Sequence, residues 1–492
     1  MARLFVFGIG GTGSRVLKAF TMLLASGMKP GHFDTVIPIL IDPHKRLPDL
    51  RECKKLVRLY SKINEQVYRE TADLTEGFFI TKMQTLKAAS TDGALRDDIE
   101  FDEEHDEAFG DFINMTGIHR KSPGTMHLLS LLYSDSNFRQ SLSVGFKGNP
   151  HMGSMALNEL IGGPAYNAFK SVFSNGDRIF VISSVFGGTG AAGFPLLLQN
   201  FRQSDKPEIK NSPIGALSVM PYFKLSEPGQ TSDIDSNDFM TKTKSALTYY
   251  ARREFTTLFD SIYYIADPGQ QTDPYKNDES RQDNKAHLVE LIGALSIFHF
   301  ASASPTRRGM VYEYCLTENK KQIDFGNVGN PGRTMMADRL TSLHLFSKLH
   351  PVIRKNAAQL SLCKLNDFTE AFFNSEDFTD NEHGLELFLS QYHKWISELE
   401  ANQRSFSPFD LGAGRNFSTL IRSGRNTTDR HLFNGIFKRP SDMSDLLNRT
   451  AMASGRNTIK RISGDRKLCR YFLMCYQGTG DFIDSVIKKG KA

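Results

Sequence analysis

Apolar runs and glycine clusters alternate along residues 3–45: Leu4–Phe7, then Gly8–Gly13, a helical stretch over 14–26, and Thr35–Ile41 stopping at Asp42. Continuous apolar runs of this length suit strands covered on both faces, and the 3.6-residue period between them suits a helix, so the segment predicts a βαβ unit. After an irregular stretch a second organised block begins near Gly145. Arg178–Val185 predicts a strand, Phe186–Gly190 a glycine loop and Ala191–Phe201 a helix. Further strands are predicted at Ile214–Met220 and Ser261–Ala266, with helices over 154–169, 238–259 and, long and apolar, 284–301. This alternation implies an α/β fold, a doubly wound and mostly parallel sheet with a long central helix. Beyond residue 335 the period changes to amphipathic helical stretches at 335–349 and 385–400. The expected division is a sheet domain over 1–303, a connecting segment over 304–334 and a mainly helical C-terminal domain over 335–492.

With 492 residues, 40% of them apolar and 23% charged, the chain can bury a large core, which excludes global disorder and small stapled scaffolds. The apolar run Leu288–Ala301 is shorter than the ~20 residues a bilayer requires. Met1-Ala2-Arg3 leads directly into strand-like residues without a leader pattern, so a cytoplasmic protein is expected. Five cysteines without a CxxC pair indicate neither a disulfide framework nor a zinc site. The net charge is +5, and it is unevenly spread. Residues 401–492 hold 17 Lys/Arg against seven Asp and no Glu, a basic module suited to a protein partner, an anionic membrane or nucleic acid. Gly-Arg-Asn recurs there at 414, 424 and 455 and predicts turns that present arginines. Eight carboxylates between Asp97 and Glu107 predict a solvated, self-repelling loop.

The candidate chemistry starts at Gly8-Ile9-Gly10-Gly11-Thr12-Gly13-Ser14. A glycine loop between strand and helix lets backbone approach a phosphate and offers it the free N–H groups of a helix start. Alone, it fits a dinucleotide fold with Asp42 as the ribose acid, or an adenylating enzyme; no lysine follows where a Walker loop requires one. The second loop, Phe186-Gly187-Gly188-Thr189-Gly190-Ala191-Ala192-Gly193, repeats the geometry and suggests one polyphosphate gripped from two sides.

At this point the sequence resembles the tubulin/FtsZ superfamily of GTPases, in a divergent FtsZ-like prokaryotic branch. The family's GGGTG[ST]G signature is matched by the central Gly-Gly-Thr-Gly, while Phe186, Ala191 and Ala192 depart from it. The resemblance implies that Gly10, Gly11, Thr12, Gly13, Gly187, Gly188, Thr189 and Gly190 hold the phosphates of GTP or GDP, with Mg²⁺ offsetting their charge. It places Asp42 near nucleotide and Mg²⁺, and Gly153, in Gly148–Gly153, on a loop reaching the γ-phosphate. Ser218–Tyr222 is similar to a family strand ending in a proline-aromatic pair, Glu227 would contact the ribose, and Asn284 would read the guanine.

Family members hydrolyse GTP where a loop after the central helix inserts carboxylates into a neighbouring subunit's site. Gln322–Asn327 is similar to that loop; Asp324 is the implied catalytic acid, and Asn327 replaces the second. The segment lies 40 residues after Asn284, which an insertion around 305–319 would explain. The implied protein binds GTP, self-assembles into a homo-oligomer or filament, and hydrolyses GTP slowly. Two alternatives stand beside it: an adaptor that holds nucleotide and acts through its basic C-terminal module, and a Rossmann-type NAD- or ATP-dependent enzyme, which leaves the second glycine loop unexplained. His287 and Glu290 are read as helix surface or a core polar contact.

Overall fold

A computed structural model describes residues 2–44, 47–69, 74–90, 95, 99–101, 107–144, 146, 149–225, 236–267, 274–275, 284–304, 308–315, 320–329, 332–356, 368–411, 443–462 and 465–488. Seven strands form one sheet: β1 (Arg3–Ile9), β2 (Thr35–Ile41), β3 (Lys82–Met83), β4 (Arg178–Ser184), β5 (Ile214–Val219), β6 (Ser261–Ala266) and β7 (Met310–Cys315). All neighbours pair parallel, in the order β3-β2-β1-β4-β5-β6-β7. The principal helices are α1 (Gly10–Ala25), α2 (Pro48–Tyr68), α3 (Pro150–Leu157), α4 (Pro164–Val172), α5 (Gly188–Gln203), α6 (Leu288–Ser302), α7 (Gly332–Lys355), α8 (Leu385–Glu400), α9 (Met443–Ala453) and α10 (Lys467–Phe482).

Helices cover both faces, as the uninterrupted apolar runs of β1, β2, β4 and β5 require. Phe5 and Phe7 of β1 point to α4 and α5, their rings 5.1–5.3 Å from Phe169 and Phe201. Phe180 of β4 points the other way, to Phe300 of α6, which with α1 makes the second layer through the Phe20–Phe298 contact. The C-terminal helices extend that layer: Phe78 stacks on Phe346 of α7, and Phe79 packs against Phe388 of α8.

Departures from the expected elements have local causes. The stretch 154–169 is broken into α3 and α4 because Gly162-Gly163-Pro164 interrupts the helical ladder. The helix expected over 238–259 ends at Tyr250 and is followed by a single turn, Arg253–Thr256. α6 opens at Leu288 rather than at Asn284, because extended His287 caps it by accepting from Val289 N. The expected insertion holds β7, an edge strand with mostly exposed residues and a Val-Tyr-Glu-Tyr sequence suited to a sheet edge. The acidic stretch is not wholly solvated: Leu40 N donates to Ile99 O, Phe101 N donates to Leu40 O, and buried Glu100 pairs with Lys54 at 2.9 Å. Among the described residues no helix is long and apolar enough to cross a membrane.

Candidate functional site

Parallel strands place all their carboxyl ends on one edge, and the connections reverse direction between β1 and β4, the crevice where ligands of open α/β sheets bind. Both glycine loops open there, side by side, because β1 and β4 are paired. α1 starts at Gly10 and α5 at Gly188, neither with a side chain capping its first N–H groups. Gly10 has φ +71°, and a Cβ on it would stand 3.6 Å from Gly190 N and from Thr189 Cβ, so the two loops face one another across a methyl-sized gap. A Cβ on Gly13 would lie 2.5 Å from the Gly8 carbonyl carbon, which fixes the helix against the strand it follows. Gly11, Thr12, Gly187, Gly188 and Thr189 are half-buried. Gly153, expected on a loop, is instead the fourth residue of α3, where it is buried against α5: a Cβ on it would meet Ala192 Cβ at 2.6 Å. Gly148 and Glu227 lie outside the described residues.

Asp42, one residue past β2, is buried, and its Oδ1 accepts from His44 N at 2.9 Å. Burial pushes its carboxyl up to about 7; the His44 hydrogen bond opposes this, and the charges of Glu100 and Asp49 add to it. Asp49 on α2 is likewise raised to about 6 by burial, against the pull of Arg15. Among the described residues no three His, Cys, Asp or Glu converge as a metal cage.

Asn284 is half-buried, ahead of α6, in a segment tied down from three directions. Arg15 Nη2 donates to Lys285 O at 2.7 Å, Ala286 N donates to Glu398 Oε2 at 3.1 Å, and Asn402 Nδ2 donates to Ala286 O. Arg15 sits in the second turn of α1 and also donates through Nε to Glu290 Oε1 at 2.6 Å. Glu290 accepts from Tyr222 OH at 2.8 Å and from His287 N at 2.9 Å. The pair His287 and Glu290 is therefore a buried polar contact, joined by an arginine and a tyrosine that the sequence pattern does not mark. The available signal was Glu290 at the third helical position, where a capping box puts its carboxylate.

The placement of Asp324 corrects the expectation attached to it. To reach a neighbour's nucleotide in a head-to-tail contact, its loop must stand at the amino edge of the sheet, away from its own glycine loops. The end of α6 is at that edge, where Arg178 Nη1 donates to Ala303 O at 2.7 Å. β7 then carries the chain back, parallel to β6, to the carboxyl edge. Ile323, Asn327 and Val328 there line a cavity of about 300 Å³ with Ala266, Cys315 and Leu288. Residues Gln322–Ile323 (β8) pair with Ser405–Phe406 (β9), and Arg404 holds Asp267, just past β6, through hydrogen bonds of 2.6 and 2.9 Å. The Asp324 carboxylate accepts from Gly326 N, and Asn327 Oδ1 accepts from Asp324 N, so both side chains shape a turn.

No protein-family model and no curated protein matches this chain. Among solved structures it is similar to the crystal structure of a GTPγS-form protofilament of TubZ from Bacillus thuringiensis serovar israelensis. The identity is 13% and the TM-score 0.23, over 61% of this chain and 55% of that one, so the chain spans about half the length of this relative. At those values the likeness adds nothing to what the sheet order and the loops establish. Of the cysteines an adenylating enzyme would need, Cys53 is buried and its thiol pushed up to about 12, Cys475 is buried and pushed higher still, and Cys363 lies outside the described residues.

Proposed function

We propose that the chain binds GTP or GDP across the carboxyl ends of β1 and β4, with Gly10–Gly13 and Gly187–Gly190 cradling the phosphates and Asn284 reading the base. The observation that carries this reading is the approach of the two loops, each at an uncapped helix start, with only a methyl-sized gap at Gly10. Backbone amides converging from two helices favour a polyanion over a single anion. Mg²⁺, when bound, would offset phosphate charge, and Asp42 would be the carboxylate near it; a buried acid already raised to about 7 gains from a cation. Glu227 as the ribose acid belongs to the same proposal. Nucleotide-dependent assembly into a homo-oligomer or filament, with slow hydrolysis, rests on the sequence resemblance alone. Engagement of a protein partner, anionic membrane or nucleic acid by residues 401–492 rests on their charge.

A dinucleotide site is the second reading, favoured by a sheet order shared with dinucleotide-binding folds and by Asp42 ending β2. Isothermal titration with GTP, GDP, ATP and NAD separates the two. Binding of GTP and GDP, weakened by Asn284→Ala, supports the first; tight NAD or ATP binding without GTP, abolished by Asp42→Ala, refutes it.

A further inference from the structure

The buried cluster behind the glycine loops connects both loops to the segment that carries Asn284. Arg15 projects from α1, directly below the first loop, and is 7% exposed; Glu290 of α6 is 2% exposed. Arg15 directs Nε to Glu290, Nη2 to Lys285 O, and Nη1 to the Asp49 carboxylate of α2 at 3.6 Å. Glu290 takes Arg15 and the Tyr222 hydroxyl on one oxygen and the His287 amide on the other. Tyr222 lies against the His287 ring at 5.0 Å and against Phe186, the residue that opens the second loop. One carboxylate thereby links the first loop through α1, the second through Tyr222 and Phe186, and the Asn284 segment through His287 and Lys285.

Burying such a pair adds little net stability, because desolvation of both ions offsets most of their attraction, and apolar replacements are often as stable. What an ionic cluster of this kind supplies is fixed geometry: hydrogen bonds have direction, and each of these sets the distance between two ligand-binding segments. We propose that Arg15, Glu290 and Tyr222 are positioning residues that hold the Asn284 segment in register with the phosphate loops, so that base and phosphates are recognised together. The inference rests on the nucleotide reading above. None of the three touches the ligand. Their effect appears only in a ligand that spans both ends, which must find the base-reading segment at the correct distance from the loops.

The test compares GTP with inorganic triphosphate, which occupies the loops alone. Dissociation constants are measured by calorimetry for native protein, Glu290→Gln and Tyr222→Phe, with thermal melts to establish folding. Glu290→Gln is expected to weaken GTP at least tenfold and Tyr222→Phe about threefold, while triphosphate binding changes less than twofold in both. A variant that weakens both ligands alike, or neither, overturns the positioning role and makes the cluster a purely structural one. Should Glu290→Gln fail to fold, Tyr222→Phe, which loses one hydroxyl and keeps the ion pair, decides the matter by the same ratio. Native protein that binds no GTP refutes the nucleotide reading itself, an outcome distinct from native binding with an unchanged ratio in the variants.

Discussion

Asp42 makes stability fall as the pH rises. Its carboxyl is raised from 3.8 to about 7, chiefly because it is 5% exposed and poorly solvated. Between those two values the folded chain keeps a proton that the unfolded chain releases, so unfolding gains as pH increases. The penalty is absent below the unfolded value and complete above the folded one. It grows by ~1.4 kcal/mol for each pH unit over which the two states differ by a proton, so it reaches ~4 kcal/mol at pH 8, and ~2.5 kcal/mol of that accrues between pH 5 and pH 8. Asp42→Asn keeps an oxygen that can accept from His44 N and removes the charge. Urea unfolding of both proteins across this range, without nucleotide, should show the variant gaining ~2.5 kcal/mol on the native chain from pH 5 to pH 8. Asp49, raised to about 6, tilts both curves in the same sense and largely cancels in the difference. A difference that stays flat from pH 5 to pH 8 would refute the premise that Asp42 is buried and uncompensated.

At the first loop, Gly13→Ala drives a Cβ into Gly8 backbone and should destabilise by ~1–3 kcal/mol or more, whereas the Cβ of Gly10→Ala makes only ordinary van der Waals contact with Gly190 N and Thr189 Cβ, and the variant carries only the ~1–2 kcal/mol of its left-handed backbone. Thermal melts rank the two, and calorimetry should show that folded Gly10→Ala has lost GTP affinity. Arg404→Met leaves Asp267 buried without its bidentate partner and should remove ~3–5 kcal/mol by chemical denaturation; a loss under ~1 kcal/mol would place that pair in solvent. Asp324→Ala should leave the dependence of GTP turnover on protein concentration as in the native chain, measured by phosphate release, and a loss of that dependence would put Asp324 across a subunit contact.

The parallel sheet was legible because its central strands are apolar on both faces, and the pattern from Leu4 to Ile265 announces this without reference to anything distant. β7 was not, since an edge strand is held by one neighbour and its exposed Met310, Val311 and Glu313 carry no burial signal. The glycine loops could be read as a pair from spacing and composition, and their mutual approach through Gly10 is consistent with that. The Arg15–Glu290–Tyr222 cluster joins positions more than 60 residues apart, and no local pattern marks which buried charges will meet. The match at Asp324 rests on motif spacing alone, and a six-residue strand between α6 and the motif is enough to move it from one edge of the sheet to the other.

That displacement bears on what a head-to-tail contact could do. Of the residues between α6 and β7 at the amino edge, the described ones, Ala303, Ser304, Arg308 and Gly309, include no carboxylate and one arginine. Asp177 and Asp260, at the starts of β4 and β6, are each bound to an arginine and a backbone amide, through Arg3 N and through Ile214 N, and so are committed to holding strands. Arg308 is different: its side chain is 50% exposed and 3.8 Å from Asp260, which Arg202 already holds at 2.6 Å. A neighbour's nucleotide would thus meet a guanidinium, which neutralises phosphate charge but takes no proton from water. Contact would then respond to the nucleotide's charge more than it speeds hydrolysis, and assembly and turnover become separable. Arg308→Ala should reduce GTP-dependent sedimentation severalfold while the GTP affinity of the dilute chain, by calorimetry, changes less than twofold. Unchanged sedimentation in the variant would mean that the amino edge after α6 does not face a neighbour's nucleotide.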